Sequence, residues 1–245
     1  MAEPLVTVVV PSFNQGRFLD EALASIFKQD VPVEVFVMDG GSTDESLDVI
    51  RKWAPKLAGW VSAPDGGQAA AINVGIAKGS APFVCWLNSD DWMLPNGLQR
   101  LVAALSRSPQ VPMVYGLTMD YFENRHSMRR ALVLPFSKWL MARICVISQP
   151  GTLIRRSCWE VLGGVDAKLH MAMDYDLWWR IYKTFGKPLM LKKVVAVNRV
   201  HDATKTNTLR RRHYSEAKEV VLRHYGKVPW KWWLAQPYAI WWREQ

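Results

Sequence analysis

The chain is poor in cysteine, in acidic side chains and in long apolar runs, and each shortage excludes something. Three cysteines, Cys85, Cys145 and Cys158, are scattered over 245 residues with no Cys-x-x-Cys pair. That argues against a disulfide framework and against a zinc site built on paired thiolates, and it fits a reducing compartment. All three read as small buried hydrophobes. No apolar stretch approaches the ~20 residues needed to cross a bilayer. The opening MAEPLVTVVVP has neither a basic n-region nor a cleavage site, so no signal peptide is expected. The nucleotide signatures G-x-G-x-x-G and G-x-x-x-x-G-K-[ST] are missing, and so is the G-x-S-x-G elbow. Dinucleotide, P-loop and elbow-type hydrolase chemistry therefore lack support. Acids number 22 against 31 Lys and Arg, a net charge of +9, which implies an anionic partner.

What is present is a folded α/β pattern. Hydrophobic residues make up 49% and charged residues 22%, the range of a globular domain. The β-branched run at 5–10 ends at Pro11 and reads as a buried strand; 33–38, 83–87 and 113–118 read likewise, with a weaker strand at 57–62. Between them, apolar residues at 18, 19, 22, 23, 26 and 27 repeat with the helical period. Ser42-Thr43-Asp44-Glu45 offers N-caps for a helix through Trp53, and 68–77 and 95–106 are also helical. Strands alternating with helices predict a doubly wound, mostly parallel sheet, in which ligands bind beyond the carboxyl ends of the strands. Polar clusters fall at those ends: Ser12-Phe13-Asn14, Asp39-Gly40-Gly41, Asp65-Gly66-Gly67 and Asn88-Ser89-Asp90-Asp91. Farther on, strands and a loop near 125–130 are expected within 120–148, then a short helix ending at Gly163-Gly164, a helix over 173–184 and a strand over 189–199.

Adjacent carboxylates at a sheet edge repel each other unless a cation compensates. Asp90-Asp91 therefore reads either as a Mg²⁺ or Mn²⁺ site bridging to a diphosphate or as an acidic helix start that complements a dipole.

In order and spacing these segments resemble the family 2 glycosyltransferases of the GT-A fold. The matching segments are Pro11-Ser12-Phe13-Asn14, Met38 to Asp44, Asp65 to Gln68 through Asn73-Val74-Gly75, and Trp86 to Asp91. Gln149-Pro150-Gly151-Thr152, Gly163 to Asp166 and Asp174 to Arg180 look like the family's later segments. The resemblance covers roughly residues 4 to 205 and implies an inverting enzyme with a nucleotide-sugar donor, UDP being the expected nucleotide. It implies that Pro11, Phe13 and Asn14 line the base pocket and that Asp39 accepts a hydrogen bond from the base. Asp65 and Gln68 would approach the nucleotide or sugar, and Asn88, Ser89 and Asp90 would occupy the family's Asp-x-Asp position. This chain departs there, because Asn88 replaces the first acid and an amide is a poorer cation ligand. Asp90, Asp91 and His201 are the expected ligands of Mn²⁺ or Mg²⁺, with Asp174 the catalytic base and Asp176 a supporting residue. Arg199, Lys205 and the pair Arg155-Arg156 are weaker candidates for phosphate or an anionic acceptor.

From Lys205 onward the chain holds nine Lys and Arg against three Glu, and five of its 13 tryptophans. A GT-A catalytic domain over 1–205 and a helical tail over 206–245 are expected. Arg210, Arg211 and Arg212 followed by Trp230, Trp232, Trp233, Trp241 and Trp242 read as a basic stretch lying in an anionic membrane interface. The alternative is a tail that packs its tryptophans on the catalytic domain or on a second copy. No RRM, OB or helix-turn-helix pattern accompanies them, so nucleic acid is not the expected partner. Such an enzyme would sit in the cytoplasm on the inner face of the cell membrane, extending a glycan or a polyprenyl-diphosphate-linked saccharide. Two rivals stand beside this reading: a sugar nucleotidyltransferase, and a non-catalytic lipid- or nucleic-acid-binding protein with a degenerate transferase domain.

Overall fold

In the computed structural model, which describes residues 3–240, the first third alternates as its periodicity requires. β1 (Val6–Ser12), α1 (Gly16–Phe27), β2 (Val33–Asp39), α2 (Ser46–Trp53), β3 (Gly59–Ser62), α3 (Gln68–Lys78) and β4 (Phe83–Trp86) follow one another. Strands β3, β2, β1 and β4 lie side by side, all parallel. β1 is apolar on both faces because it is covered on both. Val6, Val8 and Val10 pack with Leu19, Leu23 and Ile26 of α1, while Val9 belongs to the cluster of Ile72, Ile76 and Trp86. α3 lies so close to the sheet that a side chain at Gly75 would come within 2.6 Å of Val9.

The rest extends the same sheet with mixed polarity. β5 (Trp92–Met93), α4 (Gly97–Ser106), β6 (Met113–Phe122), β7 (Ser127–Arg130) and α5 (Lys138–Met141) come next. β8 (Thr152–Arg155), α6 (Arg156–Leu162), α7 (Met173–Phe185), β9 (Leu189–Val200), α8 (Lys205–Thr208), α9 (Arg210–Tyr225) and α10 (Lys231–Ile240) complete the order. The strands run β3-β2-β1-β4-β8-β6-β9-β5, with β7 paired to β6. β8 joins antiparallel to β4 and β6, and β9 runs parallel to β6. Two departures from the periodicity matter. The strand at 113 continues to Phe122 and folds back through β7, and the two-residue β5 pairs antiparallel with β9. A strand of two residues leaves no periodic signal, yet this one brings residues 88–91 beside 199–201.

The break expected at residue 205 is not a break in the core. Ala217, Val220 and Val221 of α9 are buried in the same cluster as Trp178 and Trp179 of α7. Their hydrophobic stripe is interrupted by charged neighbours, and this disguises it. The turn at Gly163-Gly164 is held by Asn73, which donates from Nδ2 to the Val165 carbonyl at 2.8 Å and accepts from the Val165 N–H at 3.0 Å. Gly164 has φ of +76°, and a Cβ there would lie 2.3 Å from Asn73 Oδ1, so only glycine fits. These two motifs are a clamp between α3 and α7's approach.

Candidate active site

The parallel register gathers the strand ends. Ser12 stands opposite Asp39, and Asp39 opposite Ser62. Asp39 is 1% exposed. Its Oδ2 accepts from the Ser42 N–H at 2.9 Å, the Gly41 N–H at 3.2 Å and the Ser62 hydroxyl at 2.7 Å. Its Oδ1 accepts from the Ser42 hydroxyl, which leaves that oxygen one further acceptor position. Asp39 is thus first the tie of the loop after β2. Asn14, at φ of +52°, joins that loop to the one after β1. Its N–H donates to Ser42 Oγ at 2.8 Å and its Oδ1 accepts from the Thr43 N–H at 2.9 Å. Pro11 is buried inside β1, whereas Phe13 is 60% exposed. Gly40 lies between Phe13 and Asp65: a Cβ there would be 3.3 Å from the Phe13 ring and 3.4 Å from Asp65 Oδ2. An exposed aromatic face and a carboxylate therefore flank one bare stretch of backbone.

A hydrogen-bonded chain crosses the cleft floor. Lys205 Nζ donates to Gln68 Oε1 at 2.9 Å, and Gln68 Nε2 donates to Asn88 Oδ1 at 2.8 Å. Asn88 Nδ2 is shared between Asp91 Oδ2 at 3.1 Å and Gln149 Oε1 at 3.3 Å. Burial lowers the pKa of Lys205, against the attraction of Asp65 and Asp90 nearby. Gln149, whose amide also donates to the Trp86 carbonyl at 2.8 Å, was not singled out for a role. A buried glutamine after a loop is visible only once its partners are in place.

Asp90 and His201 meet through Oδ2 and Nε2, 3.1 Å apart. His201 is buried, with the Phe18 ring 4.7 Å away and Arg17 Nη2 3.4 Å from Nδ1. Asp91 departs from its expected role as a ligand. It is 2% exposed, its Oδ1 accepts from the Arg199 N–H at 2.9 Å, and its Oδ2 is held by Asn88. Burial and the neighbouring Asp90 charge push its carboxyl pKa well up. Ser89 is buried as well. Among the described residues no group of three or more His, Cys, Asp or Glu could hold a metal. Asp90 and His201 fit a divalent cation of hard or borderline character only if diphosphate oxygens and water complete its shell.

Asp174 is the second residue of α7, half-buried, with Oδ1 accepting from the Tyr175 N–H at 2.7 Å. Burial pushes its carboxyl up to about 6. The cleft lined by Gly66, Gly67, Gln68, Leu169, His170 and Lys205 reaches the segment just before it. Asp174 does not itself line that cleft. Glu216 of α9 fixes this segment: its Oε2 accepts from the N–H groups of His170, Met171 and Ala172 at 3.0, 2.7 and 3.2 Å. Asp176 is 1% exposed and holds Arg180 Nε at 2.6 Å and His224 Nε2 at 2.7 Å, a support between α7 and α9.

Three cationic candidates turn away from any ligand. The Arg199 guanidinium lies among the rings of Phe18 and Trp92, 4.7 and 4.6 Å from their centres, and pairs with Glu21. Arg155 donates to the carbonyls of Val111, Leu105 and Ser108, and Arg156 to those of Ala81 and Ile76, so both close helix ends. Of the tail residues, Trp230 and Trp233 are exposed, but Trp232 packs against the core and donates from Nε1 to the Ala142 carbonyl at 2.8 Å. Trp241 and Trp242 lie outside the described residues.

Residues 7–162 match the family described as Glycosyl transferase family 2. A glycosyltransferase of Mycobacterium tuberculosis H37Rv with no characterised activity is 30% identical over 176 residues, covering 71% of this chain and 67% of that protein. Among solved structures, the mannosyltransferase PcManGT of Pyrobaculum calidifontis, in complex with GDP-Man and Mn²⁺, superposes with a TM-score of 0.71 at 24% identity. That match covers 98% of this chain and 73% of the other. Residues 1–349 of S. aureus TarS in complex with UDP give a TM-score of 0.68 at 20% identity, over 89% of this chain and 64% of TarS 1–349. The fold is that of the GT-A enzymes, and the nucleotidyltransferase and non-catalytic rivals fall away. The chain belongs to glycosyl transferase family 2 and is a glycosyltransferase.

Proposed function

We propose that the protein transfers a sugar, with inversion, from a nucleotide diphosphate donor to a hydroxyl of a glycan or lipid-linked saccharide at a membrane surface. The observation that carries this reading is the Asp90–His201 pair, set beside the Asn88–Gln68–Lys205 chain at the carboxyl rim of the parallel strands. Phe13 offers its exposed face to a base, Asp65 lies next to it, and Asp39 keeps one acceptor position on Oδ1 for a base N–H. Uridine suits that arrangement, since its N3–H is a donor. Asp90 and His201 would hold Mn²⁺ or Mg²⁺. The cation, when bound, supplies positive charge against the departing diphosphate. Lys205 adds a second cation on the same side of the cleft.

Asp174 is the proposed base. Its carboxylate takes the proton from the acceptor hydroxyl as the acceptor oxygen bonds to the anomeric carbon and the bond to the diphosphate oxygen breaks. A carboxyl held at about 6 is half-ionised near pH 6 and mostly ionised at neutrality, ready to accept a proton. Its proton affinity is therefore higher than that of an ordinary carboxylate. A thermal-shift panel of UDP, GDP, dTDP and CDP, each with and without Mn²⁺, tests the reading. UDP with Mn²⁺ at ~100 Kd should raise Tm by about 5–10 °C, because a ligand bound only to the native state stabilises it by mass action. No response to any nucleotide would overturn the donor site. A larger shift with GDP would overturn the uridine assignment alone.

A further inference from the structure

A second constellation stands apart from the cleft. α5 and the turn after it meet the start of α10 across a groove of about 310 Å³, lined by Trp139, Leu140, Arg143, Ile144, Trp230 and Lys231. Trp139 is 56% exposed and Trp230 71%, and on α10 Trp233 and Leu234 are 59% and 69% exposed. The groove is braced from beneath by Trp232, whose Nε1 donates to Ala142 and whose carbonyl accepts from the Tyr214 hydroxyl. Cations sit on the aromatic faces around it. The Arg143 guanidinium is 3.7 Å from the Trp139 ring centre, and Lys218 Nζ is 4.5 Å from that of Trp233.

The two segments that build this face are free of acid. No Asp or Glu occurs over 138–144, which carries Lys138 and Arg143, or over 230–234, which carries Lys231. Exposed tryptophan prefers the headgroup level of a bilayer, where its ring is half in hydrocarbon and its N–H is wet. Cations beside it are attracted by anionic headgroups. A second copy would set like charges against each other. A nucleic acid strand would satisfy the cations but would have no use for Leu140, Ile144 and Leu234.

We infer that this face docks the protein on an anionic lipid bilayer, with Trp139 and Trp230 at headgroup depth and Arg143 and Lys231 against lipid phosphate. The segment that forms the groove also reaches the proposed base. The hydroxyl of Tyr175, the residue after Asp174, donates to the Met141 carbonyl of α5. A saccharide anchored in the same bilayer would thus be presented on the acceptor side. That consequence rests on the proposed transfer reaction, whereas the docking itself does not.

The test is co-sedimentation of the full chain with vesicles of phosphatidylcholine alone and of phosphatidylcholine mixed with phosphatidylglycerol. Wild type should bind the anionic vesicles, less so as salt rises, and leave the neutral ones. Trp139→Ala/Trp230→Ala should lose most of the binding. Arg143→Gln/Lys231→Gln should weaken it about fivefold per cation removed, from ~1 kcal/mol each near an anionic surface. Trp60→Ala, an exposed tryptophan on β3, should bind as wild type. The inference is overturned if the double tryptophan variant binds as wild type, if neutral vesicles bind equally, or if the face instead drives self-association that this variant abolishes. The nucleotide thermal shift is read on the same variants and should be unchanged, since none touches the cleft. Its absence in wild type would sink the transferase site and leave the vesicle result standing.

Discussion

A carboxyl group that is to take a proton must be uncomfortable as an anion, and Asp174 is. Burial lifts it to about 6 against the Tyr175 N–H and its own backbone N–H, which favour the charged form. Its folded-state value lies above the unfolded one, so the folded state binds the extra proton between the ordinary carboxylate range and about 6. Stability from this group is therefore full in acid and falls as pH rises through that window, while activity rises over the same interval. Asp174→Asn keeps the oxygen that accepts from Tyr175 and removes the charge. It should lose about 10²–10⁴ in turnover. Its Tm should match or exceed that of wild type at about pH 8, with the advantage closing towards about pH 5; the discomfort relieved is about 1–3 kcal/mol. Were Asp174 only an acid at a helix start, the same change would cost stability and spare activity, since a carboxylate there contributes about 0.3–1 kcal/mol. Calorimetry and initial rates on one sample decide between the two. Asp91 shows the limit of reading single residues. Nothing in Asn88-Ser89-Asp90-Asp91 says which carboxylate is closed off by Arg199, a residue more than a hundred positions away.

At the scale of elements, the strands and helices of the first third follow from composition: apolar runs end at Pro11, Asp39 and Asn88, and each polar cluster falls where a parallel strand must stop. Bonds between elements were hidden. Arg155 and Arg156 look like an anion site until the carbonyls at the ends of α4 and α3 are set beside them. Glu216 looks like one more charge in a basic helix, yet its carboxylate gathers three consecutive N–H groups and the Arg212 Nε at 2.9 Å. Burial opposes its charge, but these donors hold its pKa below the usual range. Glu216→Ala strands those donors, of which the Ala172 N–H is the most buried, at a cost of about 1–3 kcal/mol. That corresponds to a Tm lower by about 2–10 °C for a chain of this size. Because the loop leads into Asp174 and only borders the cleft at His170, beside Gln68 and Lys205, kcat should fall further than the affinity for nucleotide. Glu216→Gln retains two acceptor positions and should recover part of both. A loss of nucleotide affinity in Glu216→Ala equal to the loss in kcat would show that the loop serves the donor side instead.

At the scale of the whole molecule, the question is where the enzyme ends. Composition changes near Lys205, where the net charge becomes strongly positive and tryptophans crowd together, and a boundary there is a fair reading of the sequence. Packing says otherwise, because α9 presents a narrow stripe of Ala217, Val220 and Val221 to the face of α7 that holds Trp178 and Trp179. Such a stripe is short against the charged residues around it, so composition hides it. Val220 and Val221 are 0% exposed, and each contributes about 1.5–3 kcal/mol by burial. Asp176 loses His224 and Arg223 when the helix is removed, which leaves a buried carboxylate with Arg180 as its remaining cation. Together these losses rival the ~5–15 kcal/mol that stabilises an ordinary domain. A chain ended after residue 205 should therefore fail to unfold cooperatively and should expose apolar surface to a hydrophobic dye. One ended after residue 226 keeps α9 but loses Trp232, the brace against Ala142, and should fold with a lower Tm. If the 205-residue chain melts in one sharp transition and still responds to nucleotide, then α9 is an appendage and the core described here stops short of it.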